Sequence, residues 1–308
     1  MNIVIVGPGA MGCLFAGMLH RDGHTVWLLA RHEDKAAAIV SKGLVIEKGD
    51  TIWHMPFMTV TANPAIIGIA DVLIFFVKAY STGDALHTAL PVISENTSVI
   101  TLQNGLGNTD KIGAVVPGDQ ILAGTTAHGA TLLGDGHVRH AGMGETILGA
   151  VTPAGYGRAL AVQKIFMDAG INTIVSNAIT SALWGKLLVN AGINPLTAIM
   201  SIKNGRILDC PHLCSIMHRA VEEVCLVSNA MGITLPFPEP VKKVEEVCRA
   251  TSENISSMLQ DINAGRKTEI DYINGAVVLY GRKVAIATPI NSLLTALVNS
   301  LKGTNAQA

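Results

Sequence analysis

A glycine-rich turn between an apolar segment and a helical pattern restricts the fold of this chain more than any other feature. Ile3-Val4-Ile5-Val6 runs directly into Gly7-Pro8-Gly9-Ala10-Met11-Gly12, and an apolar helical pattern follows. Gly7 permits a sharp turn, Gly9 lets the backbone approach a pyrophosphate, and Gly12 lets the helix pack close to the strand. Free N–H groups at the helix N-terminus favour phosphate. The segment therefore predicts a strand, a turn and a helix that together bind a dinucleotide.

The residues after the second predicted strand indicate which dinucleotide this is. Thr25-Val26-Trp27-Leu28-Leu29 is followed two residues later by Arg31, where an NAD-selective site usually has an acid for the ribose 2′-OH. A guanidinium suits a 2′-phosphate instead, and Lys35 adds positive charge. We therefore predict NADPH as the cofactor. The alternative is that Arg31 only starts a solvated helix, since Glu33 and Asp34 follow.

Length, charge and composition narrow the class of protein. The 308 residues are enough for two domains, and a formal net charge of −1 gives no indication of nucleic acid or an anionic membrane as partner. The longest apolar run is interrupted by Asp71 and is too short to span a bilayer. Only 15% of residues are charged and 49% are hydrophobic. Either the surface is therefore unusually apolar or the buried fraction is unusually large. A homo-oligomer interface, as in a homodimer, accounts for either.

The cysteines indicate a reducing compartment. Their odd number and scatter argue against a disulfide framework: Cys13, Cys210, Cys214, Cys225 and Cys248. We therefore predict a cytoplasmic protein, without a presequence because the first strand begins at residue 2. Cys210, Cys214 and His218 have helical i, i+4, i+8 spacing that could serve a metal. A shared helix face among apolar neighbours is the more ordinary explanation, so we predict no metal.

The chain divides into two parts with different patterns of hydrophobic residues. Residues 1–176 alternate strand and helix patterns, and their continuously apolar strands predict a parallel sheet, with hairpins at its edge over 121–150. Amphipathic helical patterns then cover 177–202, 211–232, 238–262, 267–281 and 289–302. We therefore predict an α/β fold: a Rossmann-type doubly wound sheet over 1–176 and an all-helical domain over 177–308. Lys78 and Asn104 follow predicted strands, at the edge of such a sheet where ligands bind.

Three polar residues recur on one face of an apolar helical segment. Lys186, Asn190 and Asn194 are spaced i, i+4 and i+8, so they share a face. A lysine among apolar neighbours loses hydration, which lowers its pKa and suits it to proton transfer. The alternative is a solvent-facing stripe, which the poor helix propensity of asparagine disfavours. Pro195 cannot donate to the carbonyl of Ala191 and is expected to kink or loosen the helix beside Asn194.

A second polar set contains Ser257 and Glu269. On one straight helix these side chains would point about 120° apart. Their convergence requires a bend, and Gly265 is the expected place for it. Taken alone, Glu269 is more typical of a surface acid.

Together these segments resemble the ketopantoate reductase (2-dehydropantoate 2-reductase) family over essentially the whole chain. Besides the glycine turn, the resemblance rests on Val77-Lys78-Ala79, Gln103-Asn104-Gly105, Trp184-Gly185-Lys186 through Asn194-Pro195-Leu196-Thr197-Ala198, and Ser256-Ser257-Met258-Leu259-Gln260-Asp261 through Thr268-Glu269-Ile270-Asp271-Tyr272-Ile273-Asn274-Gly275. The last two motifs are specific, whereas the nucleotide motif is shared with many dehydrogenases. The resemblance implies NADPH-dependent reduction of ketopantoate to D-pantoate, a step toward pantothenate and coenzyme A.

The resemblance also implies roles for individual residues. Lys186 matches the general acid that protonates the ketone oxygen, and Glu269 matches the acid that binds the substrate hydroxyl. Substrate contacts are implied for Asn190, Asn194, Ser257 and Asn104, with Ser257 near the substrate carboxylate. Cofactor contacts are implied for Gly7, Pro8, Gly9, Ala10, Met11, Gly12, Arg31, Lys78, Asn104 and Glu269.

Two other functions stay open at this point. A related NAD(P)-dependent dehydrogenase for another 2-keto or 3-hydroxy acid also combines a Rossmann domain with a helical one. A non-catalytic NADP(H)-binding sensor would bind the nucleotide without turnover. The intact lysine–asparagine face disfavours the sensor, because function resides in the site rather than in the fold.

Overall fold

The chain folds into two compact units. The computed structural model describes residues 1–301. One unit comprises Met1–Gln103 and Asn108–Ile179, and the other comprises Asn104–Gly107 and the chain from Thr180 onward. The short segment Asn104–Gly107 therefore packs with the helical unit, although its neighbours in sequence belong to the first unit. Every helix within residues 1–301 is too short or too polar to cross a bilayer.

The first unit contains all the strands and five helices of the described chain. The strands are β1 (Asn2–Val6), β2 (Thr25–Leu29), β3 (Leu44–Lys48), β4 (Thr51–Met55), β5 (Thr59–Thr61), β6 (Val72–Phe75), β7 (Ser98–Thr101), β8 (Ile121–Thr126), β9 (Gly129–Gly134), β10 (His137–Gly142), β11 (Thr146–Ala150) and β12 (Thr173–Val175). The helices are α1 (Ala10–Arg21), α2 (Glu33–Lys42), α3 (Thr82–Ala89), α4 (Asn108–Gly113) and α5 (Tyr156–Asp168).

The main sheet has eight strands in the order β12-β11-β8-β7-β6-β1-β2-β5. All neighbours from β8 to β5 are parallel, and β11 runs antiparallel to β8. In β1, Ile3 and Ile5 belong to one hydrophobic core, whereas Val4 and Val6 belong to another. Because both faces of the sheet are covered, β6 is apolar throughout and β1 is apolar from Ile3 to Val6. The predicted α/β fold with a parallel sheet is confirmed.

A second, four-stranded sheet has the order β4-β3-β10-β9. The prediction of hairpins at the edge of the main sheet was therefore wrong for β9 and β10, which pair with each other and join β3 instead. Helix α1 lies against this sheet, since a Cβ on Gly17 would come within 2.3 Å of Ile46 Cδ1. The partner strand β3 lies far away in sequence, so local patterns give no indication of this pairing.

The second unit is built from helices. These are α6 (Ile179–Met200), whose first residue still belongs to the first unit, and α7 (Pro211–Ala230), α8 (Pro240–Ala250), α9 (Ser257–Asn263), α10 (Asn274–Lys283) and α11 (Pro289–Ser300). The predicted helix over 238–262 is two helices, because Ser256 caps α9 by accepting a hydrogen bond from the Leu259 N–H at 3.2 Å. The segment predicted as a helix over 267–281 starts with a 3₁₀ turn, Ile270–Tyr272. Residue 302, the predicted end of the last helix, lies outside the described residues.

The bend expected at Gly265 is confirmed. Gly265 has φ +64°, and its N–H donates to the Ile262 carbonyl at 2.9 Å. The next N–H, of Arg266, donates to the Asp261 carbonyl at 2.8 Å. This pair of bonds is a Schellman cap, which ends α9 and turns the chain toward Glu269.

Helix α6 runs on through Pro195, and a neighbouring side chain compensates for the missing donor. The Ala191 carbonyl, which has no helical N–H partner at Pro195, accepts a hydrogen bond from Asn274 Nδ2 at 3.0 Å. Asn274 Nδ2 also donates to Asn291 Oδ1 at 2.9 Å. Asn291 Nδ2 in turn donates to Glu223 Oε2 at 2.7 Å. Since these side chains are buried, they form one polar network between α6, α7, α10 and α11.

We expect Asn274→Ala to lower the free energy of unfolding by at least about 2 kcal/mol, because it leaves two buried acceptors unpaired. The matched control is Asn263→Ala, at an exposed position of α9, with an expected change within about 0.5 kcal/mol. Urea unfolding of both variants measures the difference. Equal losses in the two variants would show that the network does not stabilise the helical unit.

Candidate active site

The glycine turn leaves open space beside the N-terminus of α1. A Cβ on Gly12 would lie 2.1 Å from the Gly7 carbonyl oxygen, so α1 approaches the turn as closely as the sequence predicts. A Cβ on Gly9 would meet nothing within 4 Å. Gly9 is also the N-cap of α1, with no side-chain cap and no acid in the first helical turn. The positive end of α1 therefore faces open space that an anion can enter. Pro8, Ala10 and Met11 complete the turn.

Arg31 lies two residues beyond β2 and is exposed. Its Nη2 is 3.8 Å from Asp84 Oδ2 at the start of α3, and both side chains are largely in solvent. Such a pair is weak, so the guanidinium is available to a phosphate. Lys35 does not add net charge as predicted, because its ammonium pairs with the Asp135 carboxylate.

Lys78 is held three residues beyond β6 by the buried amide of Gln103, for which the sequence predicted no individual role. Gln103 Nε2 donates to the Val77 carbonyl at 2.7 Å and lies 2.9 Å from Thr82 Oγ1. The chain on both sides of Lys78 is therefore fixed to the end of β7. The sequence signal for Gln103 is that a polar residue directly follows an apolar strand, within the motif Gln103-Asn104-Gly105.

The polar face of α6 is not a solvent-facing stripe. Asn194 is only 6% exposed, and Lys186 and Asn190 are partly buried. From Lys186 to Asn194 the face extends about 12 Å along the helix. The alternative left open by the sequence is thus excluded by burial.

Lys186 and Glu269 influence each other electrostatically. Burial lowers the pKa of Lys186 to about 8, and the nearby Glu269 carboxylate opposes this shift. Glu269 is 5% exposed, so it is not the surface acid that the residue type alone suggested. Asn104 Nδ2 donates to Glu269 Oε2 at 3.4 Å. An ammonium, a carboxylate and an amide from three distant segments therefore lie together in the helical unit.

A close backbone contact brings Asn104 to this position. The Leu106 N–H donates to the Tyr272 carbonyl at 3.0 Å, and Tyr272 ends the 3₁₀ turn that follows Glu269. Gly105 has φ +79°, and a Cβ there would lie 2.3 Å from the Tyr272 oxygen. Only glycine fits here, because both the backbone conformation and the approach exclude a side chain.

We expect Gly105→Ala to disturb the position of Asn104 more than Gly107→Ala does. Both glycines have positive φ, but a Cβ on Gly107 would meet nothing within 4 Å. Left-handed backbone alone costs about 1–2 kcal/mol in either variant. Only Gly105→Ala also displaces Asn104, so its KM for the keto acid that the family resemblance implies should rise at least about 10-fold above that of Gly107→Ala. Equal KM values in the two variants would contradict the positioning of Asn104 by this contact.

Ser257 lies at the other end of the polar face. It is exposed at the first position of α9, directly after the buried N-cap Ser256. Ser256 Oγ is 2.7 Å from Thr197 Oγ1, which lies 3.0 Å from the Asn194 carbonyl oxygen. The start of α9 is therefore tied to the turn of α6 that carries Asn194.

The doubly wound sheet with its glycine turn, followed by a helical unit, is the architecture of an NAD(P)-dependent oxidoreductase. A family model described as "Ketopantoate reductase PanE/ApbA" matches residues 3–153, and its C-terminal counterpart matches residues 178–302. The chain therefore belongs to the ketopantoate reductase PanE/ApbA family. The resemblance stated from its motifs is confirmed.

One curated relative and two solved structures are similar to the chain over nearly its whole length. The 2-dehydropantoate 2-reductase of Halobacterium salinarum is 36% identical over 298 residues, which cover 97% of this chain and 98% of the relative. Among solved structures, D-mandelate dehydrogenase with NADH and anilino(oxo)acetate has a TM-score of 0.94 at 29% identity, over 99% of both chains. A PanE/ApbA family ketopantoate reductase from Ralstonia eutropha has a TM-score of 0.90 at 30% identity, over 100% of both chains.

Proposed function

We propose that this protein reduces ketopantoate to D-pantoate with NADPH. The observation that carries the proposal is the partly buried Lys186, whose pKa of about 8 is set by burial and by the adjacent Glu269 carboxylate. Family membership and the 36% identical relative from Halobacterium salinarum support the choice of substrate.

The residues of the first unit fit a dinucleotide phosphate. The open space beside Gly9 and the N-terminus of α1 suit the pyrophosphate, and Arg31 suits a 2′-phosphate. Lys78 is positioned to contact the cofactor from beyond β6. When bound, the reduced nicotinamide supplies the hydride that converts a ketone carbon into an alcohol carbon.

The residues of the helical unit fit a keto acid. Negative charge develops on the ketone oxygen during reduction, and the Lys186 ammonium both stabilises that charge and donates the proton. With a pKa of about 8, the ammonium form outnumbers the amine by roughly ten to one at pH 7. Glu269 accepts a hydrogen bond from the substrate hydroxyl. Amides and a hydroxyl complete the substrate contacts: Asn104, Asn190, Asn194 and Ser257.

A second candidate activity comes from the structural neighbour of TM-score 0.94, a D-mandelate dehydrogenase bound to NADH. It would make the substrate an aromatic 2-keto acid and the cofactor NADH. Steady-state kcat/KM separates the two candidates, measured for ketopantoate and for the 2-keto acid of mandelate with each cofactor. We expect kcat/KM to be highest for ketopantoate with NADPH, by at least about 10-fold over the other combinations. The opposite order supports the second candidate, and nucleotide binding without any turnover supports a sensor.

We also propose a compartment, a pathway and an oligomeric state for the enzyme. All five cysteines are free, which supports a reducing cytoplasm. Membership of the ketopantoate reductase family supports a place in pantothenate and coenzyme A synthesis.

Exposed leucines on the helical unit support a homodimer: Leu226, Leu279, Leu293 and Leu297. Light scattering of the purified protein measures the assembly.

A further inference from the structure

Helices α7 and α8 carry a cluster of three side chains with different donor atoms, and the proposed reaction uses none of them. Cys214 and His218 are one turn apart on α7, and Glu245 comes from α8. Cys214 Sγ lies 3.3 Å from His218 Nε2, which lies 2.8 Å from Glu245 Oε1. Within residues 1–301, this is the one group of three His, Cys, Asp or Glu side chains whose donor atoms converge, all within 4.8 Å of one another.

We propose that Cys214, His218 and Glu245 form a binding site for a zinc-like divalent cation. The sequence places Cys210, Cys214 and His218 on one face with a spacing that could serve a metal, but a shared helix face was the more ordinary explanation and we predicted no metal. The structure supplies a different third ligand, Glu245, from a second helix.

The donor set and its dimensions fit zinc. Sulfur, nitrogen and oxygen ligands together suit Zn²⁺, whereas Mg²⁺ and Ca²⁺ prefer oxygen alone. Around a tetrahedral Zn²⁺, donors at ordinary bond lengths are roughly 3.4–3.6 Å apart. The observed separations of 3.3 and 2.8 Å therefore need to open by roughly 0.3 and 0.6 Å. The third pair, Cys214 and Glu245, has its donor atoms within 4.8 Å of each other and needs to close. All three side chains are partly buried, so a fourth position is open to solvent water.

A neighbouring arginine orients the carboxylate. Arg249 Nη2 donates to Glu245 Oε2 at 2.9 Å, which leaves Oε1 directed at His218. Such partners fix the orientation of a metal ligand. When the ion binds, the Cys214 thiol releases its proton to solvent and the sulfur–metal bond forms. The resulting thiolate and carboxylate balance the two positive charges of the ion.

Cobalt and zinc titrations of the full-length protein test this site without any measurement of turnover. After chelator treatment, one equivalent of Co²⁺ is expected to produce a thiolate-to-cobalt charge-transfer band, which Zn²⁺ then abolishes by displacement. Cys214→Ser should remove the band, and both Cys214→Ser and Glu245→Gln should weaken zinc binding, the cysteine variant by at least about 10²-fold. The matched control is Cys225→Ser, three turns further along α7, with zinc affinity within about 2-fold of the wild-type value.

The alternative is that His218 and Glu245 form only an ion pair between α7 and α8. In that case the wild-type protein gives no charge-transfer band, or Cys214→Ser gives the same band as the wild type. Either outcome overturns the proposal. Thermal unfolding with and without Zn²⁺ provides a second readout, since bound metal stabilises the folded state. The midpoint should rise for the wild type and Cys225→Ser, and should stay unchanged for Cys214→Ser.

Discussion

Lys186→Ala is expected to reduce kcat for ketopantoate by at least about 10²-fold, because it removes the proposed proton donor and the cation beside the developing oxyanion. Lys186→Arg should be nearly as inactive, since a guanidinium keeps the charge but does not give up its proton near neutral pH. Both rates are measured by the loss of NADPH absorbance at saturating ketopantoate.

The control for these variants is Lys164→Ala, at an exposed position of α5, which should keep wild-type kcat. NADPH affinity of the Lys186 variants should be unchanged, because Lys186 belongs to the helical unit and the phosphate contacts are proposed in the first unit. Near wild-type turnover in Lys186→Ala would remove this residue from the mechanism.

Gly9→Ala is expected to weaken NADPH binding by at least about 10-fold while leaving the fold stable. Gly9 has φ −86°, which alanine adopts readily, and a Cβ there would meet no protein atom within 4 Å. The methyl group therefore interferes only with the binding of a ligand that must approach the backbone closely. Fluorescence titration with NADPH gives the affinity, and urea unfolding gives the stability.

Gly12→Ala provides the contrast to this variant. Its Cβ would lie 2.1 Å from the Gly7 carbonyl oxygen, so the turn or α1 must move, and we expect a stability loss of about 1–3 kcal/mol. Gly157→Ala is the neutral control, since a Cβ there meets nothing within 4 Å. Unchanged NADPH affinity in Gly9→Ala would contradict the phosphate site at this turn.

Local patterns predicted much of the fold because they depend on neighbours in sequence. The glycine turn, the apolar runs of the strands and the bend at Gly265 are all properties of a few consecutive residues. The spacing of Lys186 and Asn194 likewise follows from helical geometry. Such features are set by backbone conformation and by the burial of one face, so they can be predicted from local sequence patterns.

Features that depend on distant segments could not be predicted in the same way. The pairing of β10 with β3 and the contact of Gly105 with Tyr272 join residues far apart in sequence. Glu269 looked like a surface acid, yet folding buries it beside Asn104. Asn274 likewise acquires its role only through the carbonyl that Pro195 leaves unpaired on another helix.

The most direct test of the proposed mechanism is the pH dependence of kcat for ketopantoate reduction, in the wild type and in Glu269→Gln. The ammonium form of Lys186 is the proposed acid and its pKa is about 8. Wild-type kcat should therefore be level at lower pH and fall about tenfold per unit well above pH 8. Because the Glu269 carboxylate raises this pKa, Glu269→Gln should move the fall to lower pH. A kcat that stays level up to pH 10, or a fall at the same pH in both proteins, would contradict the account.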